Sequence, residues 1–459
     1  MNFRLPFALC LLPFAVSTSA QAAPTFSHDI APIVWNNCAA CHHKGEVAPF
    51  TLTSYADVKK RAKQIAEITA TRTMPPWHAE PGYGDFQHDR RLSDEQIKLI
   101  ADWAAAGAPE GNPSETPALP KFPEGWSLGE PDVVVKMPEA YTLRAERPDV
   151  FRCFVVPLEI PVGKYVRAVE YRPANRKITH HALLFLDTTG AGRKLDEADP
   201  GPGYSRMGGI GFLPSGGLGG WAPGAAPHQF PPHAARRIQP GTDLIIQTHF
   251  HPSGKIETEQ ASVGIYLTDE RPTRSAVTIP LGVRSNIDIP PGVKDYTWSD
   301  AFTIPVDVDV PAISPHAHYL CKDMKVWATL PTGEKQWLIW IKDWDFDWQG
   351  QYLYKQPVHL PAGSKVEMVY TYDNTADNPR NPSSPPKRVR RGEQTTDEMG
   401  ITFISVMPKT QADVPALRSA LRNHFVGQLL FSGAASTTQP TRAGTLLQRL
   451  RNATTQPAK

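Results

Sequence analysis

The sequence predicts a multidomain protein in which a small all-α domain is followed by two all-β domains of the antiparallel sandwich or jelly-roll type. The chain has 459 residues, of which 41% are hydrophobic, so two or three domains with buried cores can form. Apolar residues at helical spacing occur early in the chain. From about residue 130 onward, short apolar runs are broken by Pro and Gly, and the 46 prolines of the chain favour strands and turns.

Positive and negative charges are almost balanced. The chain has 48 Lys and Arg against 46 Asp and Glu, which gives a formal net charge of +2 without a long basic run. This balance gives no reason to expect nucleic acid or an anionic membrane surface as a partner.

The first 22 residues are typical of a secretory signal peptide. Arg4 supplies the positive charge, residues 7–16 form the apolar stretch, and Ala20 and Ala22 form the small-residue cleavage pattern. This stretch is shorter than the ~20 residues that cross a bilayer, and no later stretch approaches that length. We therefore expect a soluble protein that is exported to the periplasm and has no membrane span.

Cys38-Ala39-Ala40-Cys41-His42 is the attachment pattern of haem c. The two thiols capture the vinyl groups of the haem, and the His that follows ligates the iron. A redox-active or zinc-binding cysteine pair is the alternative interpretation. Export and the following His favour one covalently bound haem c.

Met74 is the predicted second axial ligand of the haem iron, and His78 is its rival. The prolines that follow Met74 hold the backbone extended, and a thioether ligand raises the reduction potential. Further on, Ser93 and Gln96 form a capping box, and apolar residues at helical spacing predict a helix that ends at Gly107.

The haem motif, the Met-Pro pair and this closing helix together resemble the small class I cytochromes c over about residues 24–110. The resemblance implies an all-α domain that binds the haem through Cys38, Cys41, His42 and Met74. Residues 111–129 are rich in Pro, Gly and Glu and are predicted to form a linker.

The predicted β-domains cover residues 130–271 and 272–408, with the division near Pro272. Apolar runs at residues 133–135, 154–156, 244–246, 366–370 and 401–406 indicate their strands. Residues 409–459 begin with an amphipathic stretch that predicts a helix over residues 414–431. They end in a polar tail that predicts disorder.

Paired histidines occur in three of these β-region stretches: His180-His181, His249-Phe250-His251 and His316-Ala317-His318. Neighbouring strand residues point to opposite faces, so the first pair converges if the strand is locally twisted or the two rings use different nitrogens. A His-X-His pair places both rings on one face, where they can share an ion. The whole set predicts metal binding, although each His alone would be an ordinary polar residue.

The region over about residues 130–408 resembles the copper type II, ascorbate-dependent monooxygenases, the family of peptidylglycine α-hydroxylating monooxygenase and dopamine β-monooxygenase. Besides the histidines, the resemblance rests on residues 151–154, 182–185, 220–224, 247–250 and 397–399. It implies two copper ions, one on His180, His181 and His249 and the other on His316, His318 and Met399. Imidazoles suit a copper ion that changes oxidation state, and a soft thioether favours Cu(I).

The sequence departs from the peptide-amidating members of that family. The resemblance implies an Arg, an Asn and a Tyr that hold the substrate carboxylate, where this chain has Ser314, Ile401 and Phe403. These side chains would leave a carboxylate unpaired, so the substrate is expected to be less polar than peptidylglycine. The resemblance assigns His249 and not His251 to copper, which leaves His251 as a supporting residue or a spectator.

The resemblance implies a monooxygenase that inserts one oxygen atom of O2 into a C–H bond. Its catalytic centre would be Met399, His316 and His318, and the fused haem would replace ascorbate as the electron donor. The partners of this interpretation are O2, a small organic substrate and, as an open alternative, a periplasmic electron donor. Two other functions remain open: a non-enzymatic copper-binding or electron-transfer protein, and a ligand-binding β-module with structural histidines. A disulfide between Cys153 and Cys321 is also left open.

Overall fold

The computed structural model describes residues 23–46, 48–122, 125–146, 149–207, 209–223, 225–283 and 286–432. The predicted signal peptide (residues 1–22) and the polar tail beyond residue 432 lie outside the described residues. The chain divides into two compact units. The helical unit is drawn from Met1–Lys44, Phe50–Pro75 and Arg91–Pro120, and the β unit is drawn from Gly45–Pro49, Pro76–Arg90 and Lys121–Lys459.

The helical unit contains a π-helix at Phe26–Ile30, α1 (Ala31–Asn37), α2 (Tyr55–Lys60), α3 (Ala62–Ala70), α4 (Asp94–Ala105) and a 3-10 helix at Pro113–Glu115. Its core contains the ring of Phe26, whose centroid lies 5.7 Å from that of Trp35 and 6.3 Å from that of Trp103. The capping box predicted for α4 is confirmed, because the side chains and backbone amides of Ser93 and Gln96 bond reciprocally.

The β unit holds all the described strands, two further α-helices and a 3-10 helix. The strands before residue 272 are β1 (Val133–Lys136), β2 (Tyr141–Leu143), β3 (Val150–Pro157), β4 (Tyr165–Arg172), β5 (Thr179–Asp187), β6 (Tyr204–Ser205), β7 (Gly216–Trp221), β8 (His228–Gln229), β9 (Asp243–Phe250), β10 (Glu257–Glu259) and β11 (Ser262–Thr268). The helix α5 (Ala191–Ala198) follows β5.

The later strands are β12 (Val277–Leu281), β13 (Asp288–Ile289), β14 (Tyr296–Thr303), β15 (Val308–Ala317), β16 (Cys321–Thr329), β17 (Lys335–Ile341), β18 (Tyr352–Leu360), β19 (Lys365–Tyr372), β20 (Val389–Arg390) and β21 (Gly400–Pro408). A 3-10 helix at Gln411–Asp413 and α6 (Val414–Ser432) follow. The five apolar runs lie in β1, β3, β9, β19 and β21, so these strand predictions are confirmed, as is the helix predicted after residue 414.

Two hydrophobic cores lie between pairs of antiparallel sheets. In the N-terminal sandwich, a sheet of order β6-β3-β9-β5-β7 and a sheet of order β1-β11-β4-β8 share one core, to which Phe154 and Ile246 contribute from the first sheet and Val263 from the second. In the C-terminal sandwich, the sheets β12-β21-β15-β18 and β14-β19-β16-β17 share the other core. Alternation of buried and exposed residues along the strands directs one face of each sheet into these cores.

The predicted fold class, a small all-α domain followed by two all-β domains, is wrong. The described chain is mainly β, with 34% strand and 17% helix, and it forms two units rather than three. Residues 76–90 fall inside the predicted all-α domain but belong to the β unit. Ala79 bridges to Ile341 and Phe86 bridges to Tyr354. The apolar side chains of this segment bury against a sheet, so residues 24–110 do not form a self-contained helical domain.

Two further features bear on the predictions. Among the described residues, no helix combines the length and the apolarity needed to cross a bilayer. Cys153 and Cys321 are both buried free thiols, so they do not form a disulfide in this structure.

Candidate metal centres

His180 and His181 converge because strand β5 is irregular at this point. In the pairing of β5 with β9, Thr179 lies opposite Phe250 and His181 lies opposite His249, which leaves His180 without a partner. An extra residue of this kind bends and twists its strand, so neighbouring side chains no longer point to opposite faces. The local twist that the adjacent pair requires is therefore present.

The first candidate centre is the cluster of His180, His181 and His249. One ring nitrogen from each imidazole lies within 4.8 Å of the other two. The Nδ1 atoms of His180 and His181 are 3.2 Å apart. Two imidazole nitrogens bound to one tetrahedral ion would lie about 3.3 Å apart, given metal–nitrogen bonds of about 2.0 Å. The geometry of the cluster therefore suits a shared ion.

His249 presents a free nitrogen to this cluster. Its Nε2–H donates to Asp149 Oδ2 at 2.9 Å, while its Nδ1 is buried and has no hydrogen-bond partner. The ring is 2% exposed and stacks on Phe151, with centroids 4.2 Å apart and an angle of 10° between the planes. A buried nitrogen without a partner is costly unless a ligand binds it, so the residues present fit a metal ion.

Asp149 supports two histidines at once. Its second oxygen, Oδ1, accepts from Nδ1 of His251 at 2.9 Å. The side chain of His251 is 69% exposed and lies outside the cluster, on the other side of the carboxylate. A carboxylate behind a metal-binding imidazole fixes its tautomer and makes it a stronger donor. Asp149 was not identified from the sequence, because it lies in no histidine motif.

Burial favours the neutral form of two histidines of the first cluster. Burial, reinforced by the neighbouring His249, lowers the pKa of His180 to about 4 and lowers the pKa of His181 well below its ordinary value. Neutral imidazole is the form that binds metal ions.

The second candidate centre lies at the end of β15, where His316 and His318 share a face. Their ring centroids are 5.3 Å apart. His316 Nδ1–H donates to Gln349 Oε1 at 2.6 Å, and His318 Nδ1–H donates to the backbone oxygen of Asp397 at 3.2 Å. Both Nε2 atoms are therefore left as acceptors that a metal ion can use. Burial lowers the pKa of His316, and it lowers the pKa of His318 to about 3.

Backbone pairing places Met399 next to His318. Ala317 of β15 lies opposite Gly400 of β21, so His318 and Met399 are the next residues outward. The hydroxyl of Tyr372 donates to the backbone oxygen of Met399 at 2.9 Å. A side chain at Gly400 would collide with that hydroxyl, so glycine is required at this position.

Glu398 ties the two segments of the second centre together. Its Oε1 accepts from the backbone amides of His318 at 2.6 Å and of Met399 at 2.7 Å, and its Oε2 accepts from Leu320 at 2.9 Å. The side chain is fully buried, and burial raises its pKa to about 8 against the opposing effect of these amides. Glu398 lies within residues 397–399 of the monooxygenase resemblance, and this role was not predictable from the sequence because His318 and Leu320 lie about 80 residues earlier in the chain.

The haem-motif residues lie in the helical unit. Cys38 follows α1, and Nδ1–H of His42 donates to the backbone oxygen of Phe50 at 3.1 Å, which leaves Nε2 of His42 for an iron ion. Met74 belongs to the same unit. Its rival His78 belongs to the β unit, where its Nε2 is buried without a hydrogen-bond partner.

A cavity of about 610 Å³ lies beside the first centre. Glu146, Asp149 and His251 line one side of it, and Gln394, Thr395 and Thr396 line another. Its described lining residues include no Lys or Arg, so it offers no permanent positive charge to a carboxylate.

Comparisons with known proteins identify no family. No protein-family model and no curated protein matches this sequence. Among solved structures, the chain is similar to the major capsid protein P2 of bacteriophage PM2, with a TM-score of 0.25 and 8% identity over 60% of this chain and 97% of that chain. For the infectious bursal disease virus VP2 subviral particle, the TM-score is 0.19 and the identity is 9%, over 61% of this chain and 72% of that chain. For a Paenibacillus xanthan lyase, the TM-score is 0.15 and the identity is 10%, over 64% of this chain and 28% of that chain. Scores this low carry no argument about function.

Proposed function

We propose that this chain is an exported, copper-dependent monooxygenase that hydroxylates a C–H bond of a small organic substrate. The observation that carries the proposal is the buried Nδ1 of His249, which has no hydrogen-bond partner and belongs to a cluster of three imidazoles. The second histidine pair lies in the same unit. The copper monooxygenase resemblance of residues 130–408 supplies the reaction class.

The proposed copper ligands form two sets. His180, His181 and His249 hold one ion, and His316, His318 and Met399 hold the other. Copper supplies one-electron redox chemistry and, where a thioether favours its reduced form, reactivity toward O2. Burial lowers the pKa values of four of the proposed ligands, which are His180, His181, His316 and His318. Glu398 and Tyr372 fix the backbone of Met399.

The proposed reaction consumes one O2, two electrons and two protons for each C–H bond. One oxygen atom replaces the hydrogen as a hydroxyl group, and the other leaves as water. The electrons come from a haem c that is bound covalently through Cys38 and Cys41, with His42 and Met74 as the proposed iron ligands. A haem on the same chain is present at high effective concentration and passes one electron at a time to the coppers. After each transfer the haem is itself reduced again by an external reductant, for which a periplasmic electron donor is the proposed partner.

The substrate is proposed to be a small organic molecule without a carboxylate. The cavity beside Asp149 has no basic lining residue among those described, and Ser314, Ile401 and Phe403 provide no cation either. Polar side chains such as Gln394 and Thr396 can orient a neutral substrate by hydrogen bonds.

The copper-to-haem ratio of the mature protein tests the proposal, with the covalent haem counting the chains. We expect a ratio of about two after reconstitution with copper, and of about one in His316→Ala/His318→Ala. A folded, haem-loaded protein with a ratio near zero would refute the copper sites and favour structural histidines.

A methionine exchange tests the catalytic assignment. Met399→Ala should abolish O2-dependent product formation while the fold is kept, because the second centre loses its soft ligand. Met407→Leu is the matched control, since Met407 lies in β21, the strand that directly follows Met399, is buried and is no proposed ligand. Unchanged turnover in Met399→Ala would refute the assignment.

A further inference from the structure

One loop of the C-terminal sandwich contacts histidines of both candidate metal centres. This bridging loop, residues 343–349, joins β17 to β18 and has the sequence Asp-Trp-Asp-Phe-Asp-Trp-Gln. Two of its aromatic side chains are buried: Trp344 is 1% exposed and Phe346 is 5% exposed. Large rings buried in this way hold a loop in place by packing.

The ring of Phe346 contacts one histidine of each centre. It stacks on His180 of the first centre, with centroids 5.7 Å apart and an angle of 17° between the planes. It meets His318 of the second centre edge-on, at 5.6 Å and 86°. One aromatic side chain therefore packs against a histidine of each cluster.

Two polar side chains fasten the same loop to the second centre. Trp344 Nε1–H donates to the backbone oxygen of His318 at 3.2 Å. Gln349 Oε1 accepts from Nδ1 of His316 at 2.6 Å, and its Nε2 donates to the backbone oxygen of Phe346 at 3.0 Å. The residue that orients His316 thus also holds the backbone of Phe346.

The start of the bridging loop is anchored by a bidentate ion pair. Arg380 donates to both oxygens of Asp343, at 2.6 and 3.1 Å, and to the backbone oxygen of Trp344 at 2.8 Å. The backbone amide of Asp347 donates to Asp345 Oδ1 at 3.0 Å. Bidentate contacts fix geometry as well as adding binding energy, so Phe346 is held from both ends of the loop.

We propose that Phe346 is a positioning residue that fixes the separation of the two metal centres. The inference rests on the proposed function, because it assumes that both centres hold copper. Because the buried ring packs against His180 and His318 at once, it ties the position of one cluster to that of the other, as a closely packed side chain does. Two metal ions that must supply electrons to one reaction depend on a constant separation, since electron exchange weakens steeply with distance.

Electron paramagnetic resonance of the oxidised, copper-loaded protein tests this role. Two Cu(II) ions held close together broaden each other's spectrum through dipolar coupling. We expect this broadening in the wild type and not in His316→Ala/His318→Ala, which keeps one centre. In Phe346→Ala we expect the dipolar broadening to disappear or to spread over a range of strengths. Phe346→Leu keeps part of the apolar volume but cannot stack, so its broadening should be intermediate between that of the wild type and that of Phe346→Ala. The exposed Asp347→Asn is the control within the loop and should match the wild type.

Turnover and spectral broadening, measured together, distinguish a positioning role of Phe346 from simple packing. Turnover in Phe346→Ala should fall about tenfold or more with two coppers still bound, because small misplacements of reacting centres are costly. Broadening that is unchanged in both Phe346 variants would overturn the proposal, even if their melting temperatures fall. If Phe346→Ala fails to load copper, Phe346→Leu decides alone: altered broadening supports the role, and wild-type broadening overturns it.

The proposed function can fail separately. If the wild type binds two coppers and shows the broadening but forms no hydroxylated product, the proposed monooxygenase activity is refuted and the positioning role of Phe346 is not. If the wild type binds no copper, both proposals are refuted.

Discussion

The two candidate metal centres use opposite sides of the histidine ring. In the first centre, the Nδ1 atoms of His180 and His181 face each other and the Nδ1 of His249 is free, with Nε2 of His249 bound to a carboxylate. In the second centre, Nδ1 of each histidine is bound to a neutral oxygen and Nε2 is free.

This difference sets where an ion can lie and how strongly it is held. Nδ1 is nearer to the backbone than Nε2, so an ion in the first centre lies against β5 and β9, whereas an ion in the second centre stands farther from its strand. A carboxylate support increases the basicity of an imidazole more than an amide or carbonyl oxygen does. Under the proposed function, the first centre would therefore hold its ion more firmly than the second.

The largest expected effect is the loss of the first copper in His249→Ala. Only two imidazoles remain in the cluster, which is too few for tight binding, so the copper-to-haem ratio should fall from about two to about one. Metal analysis against haem absorbance measures it. His251→Ala is the matched control, because His251 shares Asp149 but lies outside the cluster. Equal losses in the two variants would contradict the assignment.

Removing the buried carboxylate of the second centre should lower the free energy of unfolding. No single side chain of the first centre should have an equally large effect on stability. Glu398→Ala leaves several buried backbone amides without an acceptor, including those of His318 and Met399, and we expect a loss of about 3–5 kcal/mol in the free energy of unfolding. Urea titration measures this loss. The exposed Glu334→Ala should remain within about 0.5 kcal/mol of the wild type. A similarly small change in Glu398→Ala would show that the carboxylate does not hold these segments.

Neutralising the carboxylate of the first centre should weaken copper binding there alone. Asp149→Asn keeps the shape but removes the charge behind His249, so the affinity of the first centre should fall about 10–100-fold. Competition with a calibrated chelator measures it. Asp397→Asn is the counterpart at the second centre, where only the backbone oxygen contacts His318, and it should leave both affinities unchanged.

The smallest expected effect comes from the neutral support of the second centre. Gln349→Ala removes one hydrogen bond to His316, which is about 0.5–1.5 kcal/mol, so the copper affinity of that centre should fall about tenfold or less. The same chelator competition applies. A larger loss here than in Asp149→Asn would reverse the order of the two supports and refute the contrast drawn between the centres.

Sequence patterns located the histidines but not the residues that organise them. The strand runs and the capping box of α4 were predictable because they depend on neighbours a few residues away. Asp149 lies 100 residues from His249 in the chain, and Gln349 lies 33 residues from His316. No local spacing relates such pairs, so these supports were not predictable.

The prediction of the fold class was wrong for a related reason. Residues 76–90 follow a helix and carry no strand pattern, yet Phe86 buries beside Tyr354 and Ala79 pairs with Ile341. Apolar side chains bury wherever a matching surface exists, and that surface is formed by strands more than 200 residues later in the chain.

The sequence by itself determined which side chains with potential metal-binding atoms the chain carries, the spacing of Cys38, Cys41 and His42, and the positions of most strands. These follow from residue identity and short-range periodicity. Only the tertiary structure decided that His180 and His181 converge through a bulge, that Asp149 supports His249, and that Phe346 contacts a histidine of each centre. Each of these depends on strand register and side-chain packing between distant segments, and such contacts are fixed by the whole core rather than by any one stretch of sequence.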